Sequence, residues 1–172
     1  MKKKSKKGNL IWITGLSGSG KTLIARKLKQ KLLKKKKNYL LINGDGLRSI
    51  FELKKYDRNS RINYAYSYSK LCKKIVDQDL NVIIATVAMF DKIRKWNKSN
   101  IKNYFEIFVK MPFKSVKDRN KKNLYKSKIL NVVGKDIKPE YPKNPNMILK
   151  NDFTKDIDCL VNKILNKLNQ YY

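Results

Sequence analysis

The strongest constraint on the fold is a glycine-rich segment that follows a short apolar run. The pattern G-x-x-x-x-G-K-[ST], a P-loop, is matched by consecutive residues: Gly15, Leu16, Ser17, Gly18, Ser19, Gly20, Lys21 and Thr22. The apolar run Leu10–Thr14 precedes the motif, and the helical pattern Leu23–Leu33 follows it. Because this order of strand, glycine turn and helix is the context that the motif needs, we predict a site for a nucleoside triphosphate.

Each part of this loop has a predicted role in binding ATP. Glycines let the chain bend tightly, so that backbone N–H groups point at a phosphate. Lys21 supplies a positive charge for the β- and γ-phosphates, and the Thr22 hydroxyl is a ligand for Mg²⁺. The predicted cofactor is therefore Mg²⁺, with ATP as the phosphoryl donor.

Length and composition predict one globular domain, residues 9–172, after a basic flexible tail, residues 1–8. No apolar run approaches the length of a membrane span, so no membrane partner is expected. Cys72 and Cys159 form no disulfide framework or metal cluster, which suggests a cytoplasmic location. Histidine is absent, so acid–base chemistry would depend on Asp, Glu, Lys or Tyr.

The formal net charge of +29 favours anionic substrates. It also leaves open a different class of protein, a basic P-loop NTPase that binds nucleic acid. The chain contains 36 lysines but only 6 arginines, spread along its length. Since arginine would be expected to dominate specific phosphate and base contacts, nucleic acid is the less favoured partner.

Short apolar strands alternate with helical patterns along the chain. Strands are predicted at Leu10–Thr14, Tyr39–Asn43, Val82–Thr86, Phe105–Val109 and near Met147–Leu149. Helices are predicted at Leu23–Leu33, Ile62–Val76, Val116–Leu124 and in the C-terminal stretch after Ile157. This alternation predicts a three-layer α/β/α fold of the P-loop NTPase, nucleotide-kinase-like type, with a mostly parallel sheet and a short lid near residues 119–135.

In such sheets ligands bind beyond the carboxyl ends of the strands, which directs attention to Asp45 and Arg48 after the second strand. A carboxylate here can orient an acceptor hydroxyl or reach Mg²⁺, although Asp45 could instead be a helix N-cap. The basic segment 118–126 fits a lid or a solvated helix equally well. A third cluster, made of Tyr56, Arg58, Arg61 and Tyr64, fits either base and diphosphate binding or plain packing.

Several of these segments resemble adenylylsulfate kinases. The resemblance runs from about Gly8 to Asp152 and rests on five features of the sequence. They are the segment Ile11–Lys21, Gly44-Asp45-x-x-Arg48, Phe105–Val109 with Pro112, Arg119 followed by Leu124-Tyr125-Lys126, and Gly134 to Asp136 with Pro142 and Pro145.

The resemblance implies transfer of the ATP γ-phosphate to the ribose 3′-hydroxyl of a nucleotide 5′-phosphosulfate. It implies that Asp45 is the catalytic aspartate and a partial Mg²⁺ ligand, and that Arg48 and Arg61 bind the acceptor. Tyr56 stands where the family has a base-stacking phenylalanine, and Arg119 and Lys126 fall in the lid, with Lys126 also near the acceptor. A homodimer is suggested only by family analogy.

Departures from the family are expected to lie in the acceptor pocket. Tyr64 replaces an asparagine, Tyr66 and Ser67 replace arginines, and Val87-Ala88-Met89 replaces Ile-Ser-Pro. Hydrogen bonds in the pocket determine which substrate an enzyme accepts, so these replacements indicate a different nucleotide acceptor. The alternative is that the replacements are neutral drift without a change of acceptor.

Within the family, the chain is most similar to the variant that phosphorylates cytidine diphosphoramidate for capsular polysaccharide. An adenylylsulfate kinase of sulfate assimilation is the alternative.

Overall fold

The fold is that of a computed structural model, which describes residues 7–112 and 130–171. Strands and helices alternate along the chain. In order they are β1 (Leu10–Thr14), α1 (Lys21–Lys34), β2 (Leu40–Asn43), α2 (Gly44–Ile50), α3 (Arg58–Val76), β3 (Val82–Thr86), α4 (Asp91–Asn100), β4 (Tyr104–Lys110), β5 (Met147–Lys150) and α5 (Ile157–Tyr171).

The five strands form one sheet in the order β2-β3-β1-β4-β5, and every pair of neighbours is parallel. The central strand is β1, in which Ile13 lies between Ala85 of β3 and Ile107 of β4. Every residue of β1 and β3 is buried, as expected for parallel strands covered on both faces. The predicted α/β fold with a parallel sheet is confirmed.

Alternate residues of the strands point to two separate cores. On one face, Ile11 and Ile13 pack in a core with α1 and α5. On the other, Leu10 and Trp12 pack in a core with α3 and α4. The period of two along each strand therefore assigns its side chains to the two helical layers.

Most predicted elements are confirmed, with strand ends shifted by at most one residue. The prediction for α3 was wrong at its start, because that helix begins at Arg58 and not at Ile62. Its N-cap is Asp57, whose carboxylate accepts a hydrogen bond from the Ser60 N–H at 2.9 Å. The predicted helix Val116–Leu124 lies outside the described residues.

Helix α4 was not predicted, and its buried face explains why. That face consists of Ile93, Arg94 and Asn97, so it is largely polar. The Arg94 guanidinium lies 3.8 Å from Glu106, a fully buried residue of β4. Burial raises the pKa of Glu106 to about 7, and the nearby Arg94 opposes this shift.

The last two residues of the predicted flexible tail are held in place. The Gly8 N–H donates to the Val76 carbonyl at 2.9 Å, and Lys7 pairs with Asp77 at 2.9 Å. Residues 1–6 lie outside the described part of the chain. Within residues 7–112 and 130–171, none of the helices combines the length and apolar character that crossing a bilayer requires.

Candidate active site

The P-loop connects β1 to α1 in a conformation that depends on glycine at both ends. Gly15 has φ +154°, and a β-carbon there would lie 2.6 Å from the Val109 carbonyl oxygen. Gly20 has φ +88°, and a β-carbon there would lie 2.7 Å from Nδ2 of Asn151. Any side chain at these two positions would collide with the sheet or with the segment after β5, which accounts for the glycines of the motif.

The amino end of α1 faces the cleft beside this loop. No described side chain caps this end, and the first turn contains no acidic residue. Lys21 is buried, and its Nζ donates to the Leu16 carbonyl at 2.6 Å and to Ser19 Oγ at 3.4 Å. Backbone N–H groups, a positive helix end and an ammonium group thus converge where an anionic phosphate would bind.

Asn151, directly after β5, forms a hydrogen bond with the P-loop although it lies outside the loop itself. Its side chain is buried, and its Nδ2 donates to the Ser19 carbonyl at 3.0 Å. Its Oδ1 accepts from the Phe153 N–H at 3.2 Å. Phe153, at φ +65°, lines the cleft beside Gly20. This support was not predicted, because Asn151 is 132 residues from Ser19 in sequence.

Asp45 lies in the first turn of α2 and lines the same cleft as Lys21 and Thr22. The N-cap of α2 is Asn43, whose Oδ1 accepts from the Gly46 N–H at 2.6 Å. The alternative that Asp45 is itself the N-cap is therefore wrong. Its exposed carboxylate faces the space beyond the P-loop, where it could reach a metal ion or an acceptor hydroxyl.

Two arginines and two tyrosines form a stacked cluster beside Asp45. The Arg48 guanidinium carbon lies 4.4 Å from the ring centroid of Tyr56 and 5.4 Å from that of Tyr64. Arg61 lies 5.3 Å from the Tyr56 ring centroid. The stacking is of the cation–π type, and it presents flat aromatic surfaces next to positive charge.

The same arginines hold the loop that carries Tyr56. Arg48 donates to the Leu53 and Lys55 carbonyls at 3.2 and 3.3 Å. Arg61 donates to the Tyr56 carbonyl at 2.7 Å and to the Asn131 carbonyl at 2.7 Å. Both guanidinium groups therefore position the loop as well as contributing positive charge to the cleft.

These groups surround one cleft of about 620 Å³ at the carboxyl ends of β1, β2 and β3. Its apolar wall was largely not predicted and includes Ala65, Phe90, Leu130, Val132 and Val133, together with the predicted Val87 and Ala88. The cleft thus has a phosphate-binding end at the P-loop and an aromatic, cationic end at α2 and α3.

Comparison with known proteins identifies the family. Residues 7–150 match the family model described as adenylylsulphate kinase. The chain belongs to the adenylylsulfate kinase family. The predicted resemblance is thereby confirmed, and so is the enzyme class, a phosphotransferase with an alcohol group as acceptor.

Two curated members of the family show how the chain relates to it. A cytidine diphosphoramidate kinase of Campylobacter jejuni subsp. jejuni serotype O:2 is 37% identical over 163 residues, which cover 92% of this chain and 95% of the relative. An adenylyl-sulfate kinase of Pseudomonas aeruginosa is 32% identical over 166 residues, covering 92% and 84%.

A solved structure supports the same assignment. The APS kinase of Mycobacterium tuberculosis in complex with AMPPNP and APS superposes with a TM-score of 0.85 at 25% identity. The match covers 95% of this chain and 98% of that one.

The placement of the predicted acceptor residues divides them into two groups. Arg48, Tyr56, Arg61, Tyr64, Val87 and Ala88 line the cleft. Met89 is fully buried and is not among the described residues that line the cleft. The predicted lid residues Arg119 and Lys126 lie outside the described residues.

Two of the departures from the family pattern also lie outside the cleft lining. Tyr66 packs edge-on against Trp96 of α4, with 6.4 Å between ring centroids, and Ser67 is exposed. On helix α3, Arg61, Tyr64 and Ala65 are spaced three and four residues apart, so they lie on the face that lines the cleft. Tyr66 falls on a different face of the helix, toward α4. Of the residues that depart from the family pattern, Tyr64, Val87 and Ala88 line the cleft.

Proposed function

We propose that this kinase transfers the γ-phosphate of MgATP to the ribose 3′-hydroxyl of cytidine diphosphoramidate. The observation that carries the proposal is the 37% identity to a cytidine diphosphoramidate kinase over 92% of this chain. The cleft supports it, because Tyr64 and Ala88 line the acceptor end in place of the asparagine and serine of adenylylsulfate kinases. A cytoplasmic location, in keeping with the free thiols of Cys72 and Cys159, is part of the proposal.

The donor end of the cleft has the groups that MgATP needs. Gly15–Gly20 and the open amino end of α1 bind the phosphates, and Lys21 neutralises their charge. Thr22 and Asp45 both line the cleft, and they would hold Mg²⁺ through hydroxyl and carboxylate oxygens, partly by way of water. When bound, Mg²⁺ supplies a positive charge that stabilises the developing negative charge on the phosphoryl oxygens.

The acceptor end positions the hydroxyl group for attack. Asp45 orients the 3′-hydroxyl and accepts its proton as the 3′-oxygen bonds to the γ-phosphorus, while the bond from that phosphorus to the β,γ-bridging oxygen breaks and ADP leaves. Arg48 and Arg61 bind the charged 5′ arm of the acceptor, since a guanidinium with five N–H donors can hold loop carbonyls and a ligand together. Tyr56 stacks on the base, and the proposed role of Arg119 and Lys126 is to supply positive charge to the transferring group.

The decisive experiment measures coupled ADP release from MgATP with cytidine diphosphoramidate and with adenylylsulfate. We expect turnover with the cytidine compound, with the new phosphate found on the 3′-oxygen by phosphorus NMR. Efficient turnover with adenylylsulfate alone would support the second candidate, which the 32% identity to an adenylyl-sulfate kinase favours. ATPase activity that depends on added DNA or RNA would contradict both.

A matched pair of lysine variants tests whether the turnover belongs to this site. Lys21→Ala removes the buried ammonium of the P-loop, and we expect it to abolish turnover. Lys34→Ala makes the same change in charge at the exposed far end of α1, and we expect normal activity. Near-normal kcat in Lys21→Ala would contradict the role of the loop.

A further inference from the structure

Tyr68 presents an unusual feature of the acceptor end of the cleft. Its ring lies on α3, one turn after Tyr64, and its side chain lines the cleft although only 4% of the residue is exposed. The phenol oxygen is buried, and none of the described residues forms a hydrogen bond with it. A buried hydroxyl group without a partner is costly, so its presence needs an explanation.

Other residues that line the cleft do not supply that partner. Ala65, Ala88, Val132 and Val133 line the cleft with it and have apolar side chains. Asp45, Arg48, Arg61 and Tyr64 act on it only through longer-range electrostatics. The wall of the cleft thus combines apolar side chains with a small number of polar and charged groups, which is typical of a pocket that orients a ligand by a few polar contacts.

The charge state of Tyr68 suits such a contact. Burial raises the pKa of its phenol, the charges of Arg48 and Arg61 partly oppose this, and Tyr64 and Asp45 reinforce it. The group is consequently a neutral hydroxyl at physiological pH. It can donate one hydrogen bond and accept others, so either an oxygen or an N–H of a ligand can satisfy it.

Position distinguishes Tyr68 from the other buried polar groups of this core. Tyr104 and Trp12 also carry buried polar atoms without a hydrogen-bond partner in the described part of the chain. Neither Tyr104 nor Trp12 is among the described residues that line the cleft. Of these three residues, only Tyr68 both carries an unsatisfied polar atom and lines the acceptor end of the cleft.

We propose that the Tyr68 hydroxyl forms a hydrogen bond with the acceptor nucleotide and helps to determine which acceptor the kinase accepts. The inference deepens the proposed function and rests on it, because it concerns the same half of the cleft. It adds a residue that the P-loop and the strand-end pattern do not indicate. A ligand that satisfies this hydroxyl gains a hydrogen bond that a mismatched ligand forfeits.

The test compares Tyr68→Phe with the wild-type enzyme. The variant removes one oxygen and keeps the ring, so we expect the fold and the unliganded melting temperature to be retained or improved. We expect kcat/KM for the acceptor to fall by about tenfold, while KM for ATP changes by less than about twofold. Tyr66→Phe is the matched control, because Tyr66 packs on Trp96 outside the cleft, and it should change neither constant.

Two results would overturn the inference. One is an unchanged kcat/KM for the acceptor in Tyr68→Phe. The other is a lowered melting temperature with equal losses toward ATP and acceptor, which would indicate a structural role alone. Comparing cytidine and adenosine acceptors then shows whether the hydroxyl contacts the base, and comparing phosphoramidate with sulfate shows whether it contacts the 5′ arm.

Failure of the proposed function can be told apart from failure of this inference. If wild-type enzyme phosphorylates neither candidate acceptor, the proposed function fails. The binding of CDP in the presence of AMPPNP is then measured by calorimetry for wild type and Tyr68→Phe. Weaker binding by about tenfold in the variant supports the role of Tyr68. Equal affinities, or no binding by the wild type, overturn it.

Discussion

At the residue scale, the donor site depends on one side chain that lies far from it in sequence. Asn151 bonds to the carbonyl of Ser19 and to the N–H of Phe153, and so links the P-loop to the segment after β5. The loop's own sequence accounts for its tight turns. The position of the P-loop against the sheet also depends on the hydrogen bond from the side-chain amide of Asn151.

Asn151→Ala should therefore weaken ATP binding without abolishing it. The change leaves two backbone groups without their partners and frees the P-loop to move. We expect KM for ATP to rise by about tenfold, with a smaller effect on the acceptor KM. Steady-state kinetics checks this, with Asn144→Ala as the control at an exposed asparagine outside the cleft lining. Unchanged ATP affinity would show that the contact does not position the loop.

Asp45 is the residue on which the proposed chemistry depends most directly. Asp45→Asn keeps the size and polarity of the side chain but removes its charge and its basicity. We expect kcat to fall by at least about 10²-fold, while ATP binding stays largely intact. Asp79→Asn, an exposed site outside the cleft lining, is the control for the loss of one charge. A loss of ATP affinity with unchanged kcat would show that Asp45 serves only the metal ion.

At the scale of elements, an apolar stripe determines how α5 packs. Leu160, Val161, Ile164, Leu165 and Leu168 are buried, and they share a core with α1 and the sheet. Their spacing of three and four residues is evident in the sequence, which is why this helix was predicted. Because α5 covers the face opposite to α3, it supports the sheet and does not line the cleft.

Ile164→Ala should cost stability without altering the site. Ile164 is fully buried, so the truncation leaves a cavity in the core with α1. We expect the free energy of unfolding to fall by about 2–4 kcal/mol in urea titrations, with normal KM values in the folded enzyme. Leu33→Ala, at a residue that is 55% exposed, should cost much less. Equal losses at the two sites would contradict this packing.

Helix α4 shows the opposite case, in which the buried face is polar. A search for apolar periodicity cannot find a helix whose inward residues include Arg94 and Asn97. Arg94 lies 3.8 Å from Glu106 on β4 and donates to the Glu140 carbonyl at 2.7 Å, and a search for apolar periodicity does not reveal these contacts. The helix was missed because its partner, not its own pattern, makes its burial favourable.

The buried Glu106 should make stability depend on pH. Its pKa is about 7 in the folded chain and 4.5 for the ordinary group, so the folded state binds the proton more tightly. Its contribution to stability is complete below pH 4.5 and is lost as the pH rises toward 7.

Comparison with Glu106→Gln isolates this contribution. Between about pH 5.5 and about pH 8, we expect the wild type to lose about 2 kcal/mol of unfolding free energy relative to the variant. Urea titrations at the two pH values measure it, with Glu52→Gln as the control at an exposed carboxylate. A difference between wild type and Glu106→Gln that is the same at both pH values would contradict the raised pKa.

At the scale of the whole molecule, the chain carries a net charge of +29, and the cleft proposed to bind anionic nucleotides is lined by Lys21, Arg48 and Arg61. A field of one sign raises the rate of encounter with a ligand of the opposite sign, and salt screens it. This effect concerns association and not the fold. The high positive charge is also compatible with a kinase that acts on small molecules, and it does not require a nucleic-acid partner.

Turnover should consequently respond to ionic strength through kcat/KM. Raising salt from about 0.05 M to about 0.5 M should lower kcat/KM for the anionic acceptor by up to about tenfold, with kcat nearly constant. Sodium chloride titrations of initial rates measure this, and addition of DNA at low salt is the control for competition by a polyanion. A kcat/KM that is independent of salt would show that the charge does not steer the substrate.

The sequence by itself determined the features that depend on neighbouring residues. The P-loop, the parallel strands, α1, α5 and the strand-end residues Asp45 and Arg48 were all predicted, because each follows from a short pattern. Glycine permits a turn, apolar runs form strands, and parallel strands gather their carboxyl ends at one edge. These rules need no knowledge of distant contacts.

Only the tertiary structure decided the features that depend on residues distant in sequence. The support of the P-loop by Asn151, the cleft wall at Val132 and Val133, and the position of Tyr68 all arise from such contacts. So do the burial of Met89 and the packing of Tyr66 on Trp96, which a count along α3 alone does not reveal. A side chain's surroundings depend on which elements pack beside it, and that packing is a property of the whole chain.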